Sequence, residues 1–191
     1  MKKLSLLVAS AFVLFAFKPI DTATWTVDRM HSRMGFIINH LGVNDILGSF
    51  DTYDCKISTS KADFSDATIE MTADVNSINT GAEKRDSHLK SPDFFDATQF
   101  GTITFKSKSV KKVDDKTITV KGDLTMHGVT KEVELKLVHK ETVNPMSKKD
   151  LAGIAITGTI KRSDFGIGAK FPAPMLSDEV MLDAHGEFGK N

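Results

Sequence analysis

Six histidines, at positions 31, 40, 88, 127, 139 and 185, are the residues best suited to ligate a metal or move a proton. Their spacing argues against both uses. They stand singly, with no cysteine beside them and none of the tight pairings that zinc sites require. His31 adjoins Ser32, which supplies a base and a hydroxyl, yet neighbours on a strand point to opposite faces and no G-x-S-x-G elbow is present. Glycine loops that cradle phosphate, EF-hand loops and H-E-x-x-H are absent as well. Neither a catalytic residue nor a metal nor a cofactor is therefore expected. A denser polar group lies in TGAEKRDSHLKSPDFFD, residues 80–96. There Arg85, Asp86 and His88 fall within one or two helical turns and could meet a polar head group, Arg85 through a planar fork suited to phosphate. The alternative is a local ion pair of Arg85 with Asp86 or Glu83. His31 and His40, on one long strand, are further head-group candidates, with structural hydrogen bonding as the competing use.

The elements that must position these residues announce themselves by period two. Ile118, Val120, Gly122, Leu124 and Met126 alternate with Thr117, Thr119, Lys121, Asp123 and Thr125, a strand with one apolar and one wet face. The pattern predicts strands near residues 24–41, 47–59, 67–78, 101–113, 116–127, 130–143, 152–164 and 178–189, the first bent around Ser32 and Arg33. Links as short as Asp114-Asp115 and Gly128-Val129 join only antiparallel neighbours. Residues 80–96 break the alternation: Thr80 with Glu83 matches a capping box, and Ser91 before Pro92 a second helix start, so two short helical pieces are expected across one barrel mouth. The fold class is thus all-β, an eight-stranded antiparallel up-and-down barrel with a short helical insertion, a two-sheet sandwich being the alternative.

Residues 1–20 read as a signal peptide: two lysines, then an uncharged apolar run from Leu4 to Phe17 that is too short to cross a bilayer comfortably. Residues 21–191 form the single domain, and an exported location is expected. Processing removes Lys2, Lys3 and Lys18 from the 25 basic residues and leaves 22 against 25 acidic ones, a net charge of −3 with no electrostatic reason to bind nucleic acid. Cys55, the lone cysteine, excludes an internal disulfide and reads as a half-buried strand residue.

A barrel of this size is filled by its own side chains or holds one slender ligand. Small residues on the inward faces, such as Gly122, Gly158, Ala73, Ala184 and Gly186, either leave room or merely let the core interdigitate. If room is left, the walls are hydrocarbon and so is the ligand. Each buried methylene contributes about 0.8 kcal/mol, which favours a long chain. The inward set expected to line such a pore is Phe36, Ile38, Phe50, Met71, Ala73, Phe105, Leu124, Ile156, Gly158, Phe165 and Leu182. Phe94 and Phe95 serve either as its lid or as a plain plug. On this reading Gly158→Phe blocks binding while the barrel still folds.

Several stretches together resemble the YceI family of polyisoprenoid-binding proteins. They are Trp25-Thr-Val-Asp-Arg-Met-His-Ser32 with Phe36 and His40, then Gly48-Ser-Phe50, and above all Arg85-Asp-Ser-His-Leu-Lys-Ser-Pro-Asp-Phe-Phe-Asp96. Phe100 with Ile103-Thr-Phe-Lys-Ser107, Gly122 to Thr130 and Arg162-Ser-Asp-Phe-Gly166 follow in the family's order. One departure is Gly101, where the family usually has proline. The resemblance implies a lipocalin-like barrel, exported to the periplasm, holding an isoprenoid chain, such as a polyprenyl phosphate or a quinone tail, for transport, storage or stress response. Its partner is then that lipid, with no membrane span after processing and a homodimer as an open possibility. An enzyme acting on the lipid and a ligand-free structural barrel are the competing readings.

Overall fold

The computed structural model describes residues 22–191; the leader expected over residues 1–20 lies outside them. In chain order the elements are β1 (Ala23–His40), β2 (Asn44–Phe50), β3 (Tyr53–Thr59), β4 (Thr68–Asp74), β5 (Ile78–Asn79), α1 (Glu83–Leu89), β6 (Thr102–Lys112), β7 (Thr117–Met126), β8 (Val129–Val143), β9 (Asp150–Lys161) and β10 (Leu176–Lys190). Antiparallel pairing runs β1, β3, β4, β6, β7, β8, β9, β10 and returns to β1, with Trp25 opposite Lys190 and Phe36 opposite Leu182. β2 extends β3 along the same edge of β1, so the two make one stave. The sheet is a closed eight-stave antiparallel barrel, the fold that the alternation implied. Among the described residues, no helix is long and apolar enough to cross a membrane.

Three departures from the expected boundaries have local causes. The strand expected over 47–59 is interrupted at Asp51-Thr52, because the amides of Asp51 and Thr52 bond Ser77 instead of β1. The strand expected over 67–78 stops at Asp74, whose carboxylate accepts from the Asn76 amide and caps a 3-10 turn over Val75–Ser77. The bend of β1 falls just before Ser32: pairing with β10 jumps from Asp28 to Ser32 and leaves Met30 exposed. Gly101, the departure from the family pattern, accepts the Val75 amide, and β6 begins at the next residue.

The insertion holds one helix rather than two. Thr80 does not cap α1: the N-cap is Ala82, with no side-chain hydrogen bond, and Thr80 donates its hydroxyl to Asp86. Residues 91–99 are turns, in which the Ser91 hydroxyl donates to the His88 carbonyl and the amides of Phe94 and Asp96 return to Ser91.

The far end of the barrel is closed. The loop between β3 and β4 tucks Phe64 inward, where its ring lies 5.6 Å from Trp25 and 4.6 Å from His139. Phe64 and His139 are essentially inaccessible to solvent. That loop is tied by Asp66, whose carboxylate accepts the hydroxyls of Thr59 and Ser60. Burial raises the Asp66 pKa, but these hydroxyls and the Ser60 amide outweigh it and bring the pKa down to about 2. A carboxylate whose folded pKa lies below its unfolded value of about 3.9 stabilises the fold above that value and loses the effect as pH falls through the folded pKa. The floor is therefore expected to loosen between about pH 4 and pH 2. The fluorescence of Trp25, the single tryptophan, reports it. Asp66→Asn should flatten that acid limb; an unchanged limb would remove Asp66 as its cause.

Candidate functional site

Inside the barrel lies a cavity of about 490 Å³. Alternation places Phe36, Ile38, Phe50, Met71, Phe105, Leu124, Ile156 and Leu182 on its wall, with Phe94 and Phe95 from the insertion. Three residues of the expected set stay off it. Ala73 is a single methyl between its cross-strand partners Tyr53 and Ile103, which line the cavity in its place. Gly158 is covered by Leu135, whose Cδ2 stands 2.6 Å from where a Cβ would be. Phe165 is buried in a 3-10 turn, Arg162–Phe165, outside the barrel strands, and its carbonyl accepts from His127 at 3.0 Å. Gly122 is likewise covered, by the Phe105 ring. At these glycines the core interdigitates, so Gly158→Phe would strain the wall instead of blocking an open pore.

The mouth is built from α1, the turns after it and the 162–176 loop. Phe94 stacks on Phe171 with centroids 4.8 Å apart, His88 meets both rings edge-on, and Phe95 packs edge-on against Phe50. Lys170 reaches Asp93 at 2.6 Å and His88 approaches the same carboxylate at 3.3 Å. The Lys170 ammonium, then His88, hold Asp93 below the usual carboxylate range.

Of the polar candidates, Arg85, His88 and His40 line the mouth. Arg85 donates from Nε and Nη2 to the Thr80 hydroxyl and carbonyl. Asp86 does not face the cavity: its carboxylate accepts from the amide and hydroxyl of Thr80 and anchors the helix. His31 is outside the barrel altogether. The β1 bulge turns it to the surface beside Asp28, 2.9 Å away, and near Glu187, and the Asp28 carboxylate raises its pKa.

Two contributors carried no periodic signal. Phe171 and Arg162 sit in or beside a loop. Arg162 is buried and gives every donor to a carbonyl: Nε to Ser177, Nη1 to Ile167 and Gly168, Nη2 to Phe171 and Leu176. It is the clasp that shapes the loop over the mouth.

Cys55 lines the cavity and is fully buried rather than half-buried, because β3 turns it inward opposite Met71. Burial pushes its thiol up to about 12. Since the thiolate is the nucleophile, Cys55 should resist water-soluble disulfide reagents at neutral pH and react only on unfolding. Rapid stoichiometric labelling of the native protein would show that solvent reaches the cavity wall.

The description YceI-like domain matches residues 25–188. The chain belongs to the YceI-like family. The UPF0312 protein SA2479 of Staphylococcus aureus (strain N315) is 40% identical over 174 residues, covering 86% of this chain and 96% of that protein. The YCEI protein of Campylobacter jejuni superposes with a TM-score of 0.73 at 29% identity, over 80% of this chain and 90% of that one. A polyisoprenoid binding domain from Saccharophagus degradans shares the fold at 15% identity, with a TM-score of 0.62 over 90% of this chain and all of that one.

Proposed function

We propose that this YceI-like protein, exported to the periplasm, holds a long isoprenoid chain in its barrel for transport, storage or stress response, and catalyses no reaction. The observation that carries the proposal is the cavity itself. At about 490 Å³ it falls within the roughly 300–1,000 Å³ of small-molecule pockets, and aromatic and aliphatic side chains dominate its wall. A hydrocarbon ligand is the chemistry such a wall recognises. The polyisoprenoid binding domain of Saccharophagus degradans, on the same fold, supports an isoprenoid over other chains. At the mouth, Arg85 keeps Nη1 for an anionic or polar head while its other nitrogens hold Thr80. Of the polar residues of this region, His88 is paired with Asp93 and Asp86 with Thr80, which supports binding over turnover.

The test is to purify the protein without detergent, extract it with organic solvent and identify the extract by mass spectrometry. A reproducible prenyl species is expected. Its absence, with phospholipid or nothing in its place, would overturn the reading.

A further inference from the structure

The cavity is not uniformly hydrocarbon. At its waist, well below the mouth, Tyr53 and Ser32 both line it, beside Gly186 of β10. Tyr53 is 8% exposed, and its Oη lies near the Ser32 hydroxyl without a well-formed hydrogen bond to any protein group. Ser32 Oγ accepts the Glu187 amide at 3.1 Å, which leaves its proton for an acceptor. A buried hydroxyl without a partner costs about 1–3 kcal/mol, and phenylalanine would fill the same wall without that cost. The charge around this level limits what could be the missing partner. Arg33 turns outward to the Gly48 carbonyl and Asp183, His185 pairs outward with Asp183, and Arg85 and Arg162 stand at the mouth. No cation that lines the cavity faces the waist, and the influence of Arg29 from outside the wall is opposed by Asp28 beside it, so a phosphate there would be desolvated with little compensation. Burial also pushes the Tyr53 phenol up, against a smaller opposing influence from Ser32, so it remains a proton donor.

We infer that Tyr53 and Ser32 form an inner polar station that hydrogen-bonds an uncharged oxygen of the ligand, a carbonyl or hydroxyl, with the prenyl chain trailing toward the mouth. This rests on the lipid-carrier reading and narrows it: the head lies inside and is neutral, of the quinone or alcohol kind, while charged heads stay at the rim.

Matched prenyl probes test it in the full-length processed protein and in Tyr53→Phe, which removes one oxygen and keeps the ring. The probes are a geranylgeranyl-substituted naphthoquinone, geranylgeraniol, geranylgeranyl phosphate and squalene, measured by displacement of N-phenylnaphthylamine. Tyr53→Phe is expected to weaken the naphthoquinone or the alcohol about five- to tenfold, the range of one net hydrogen bond, and to leave squalene and the phosphate unchanged. Whichever of the two loses affinity identifies the head. For the naphthoquinone, the carbonyl stretch of the bound ligand should move to higher frequency in the variant. Without ligand, Tyr53→Phe should melt no lower than the parent, since it removes an unpartnered group. Equal affinities in both proteins, or an equal loss for squalene, would overturn the station and leave the carrier standing. Failure of every prenyl probe to bind the parent protein would instead bring down the carrier, and the station with it.

Discussion

Arg162→Leu is expected to lower stability by about 3–5 kcal/mol and to open the barrel mouth. Arg162 is 7% exposed, and its guanidinium donates to five carbonyls, of Ser177, Ile167, Gly168, Phe171 and Leu176. Leucine would strip these carbonyls of their side-chain donor; Gly168 keeps the Phe171 amide, but the others, buried or part-buried, lose a charged partner and pay desolvation. Arg162→Lys is the informative companion. It keeps the charge but offers three donors on one nitrogen instead of five in a fork, so most of the loss should persist. Because Phe171 rides on this loop and stacks on Phe94, both variants should also release bound ligand faster. Chemical denaturation and ligand dissociation kinetics check the two effects. A lysine variant as stable as the parent would show that charge alone, not the fork, holds the loop.

Ala184→Trp should abolish binding while the barrel keeps its fold. Ala184 faces inward on β10 between Met34 of β1 and Ile156 of β9, and all three line the cavity. An indole there grows into empty space, so the cost to folding should stay below the roughly 1–3 kcal/mol of ordinary overpacking. Each methylene of ligand it displaces forfeits about 0.8 kcal/mol, and three or four of them amount to a loss of affinity of roughly 50- to 200-fold. Gly158→Phe supplies the contrast. Its new side chain meets Leu135 at once, so it should destabilise the barrel and impair binding only in proportion. Displacement of a fluorescent hydrophobic probe, read beside thermal melting, separates the two. Undiminished binding in Ala184→Trp would place the ligand elsewhere.

The barrel was legible because alternation is a local property with a global consequence. Ile118 to Met126 declares its inward face in nine residues, and eight such stretches with several short links favour a closed barrel over a two-sheet sandwich without deciding between them. The cavity was less legible, because period two says which way a side chain points and not what covers it. Gly122 and Gly158 point inward, yet Phe105 and Leu135 lean over them, whereas Ala184 remains open. Residues outside the strands were the least readable. Phe94 and Phe95 stood out as adjacent aromatics, but Phe171 lies on an aperiodic loop, and Arg162 declares its role only through five carbonyls spread over residues 167–177. Thr80 and Asp86 show the limit of local rules. A capping pattern was present, but the hydroxyl served a side chain across the turn instead of the helix amides.

The seam between β1 and β10 has a consequence for how the molecule comes into being. Trp25 pairs with Lys190, and the Asn191 amide donates to Thr24, so the ring is completed by partners from opposite ends of the polypeptide. Until β10 arrives, β1 and β9 are bare edges able to recruit strands from other chains. Such distant pairing is slow to find. Until that seam forms the interior is open along one side, so the enclosed cavity exists only once β10 is seated between β9 and β1.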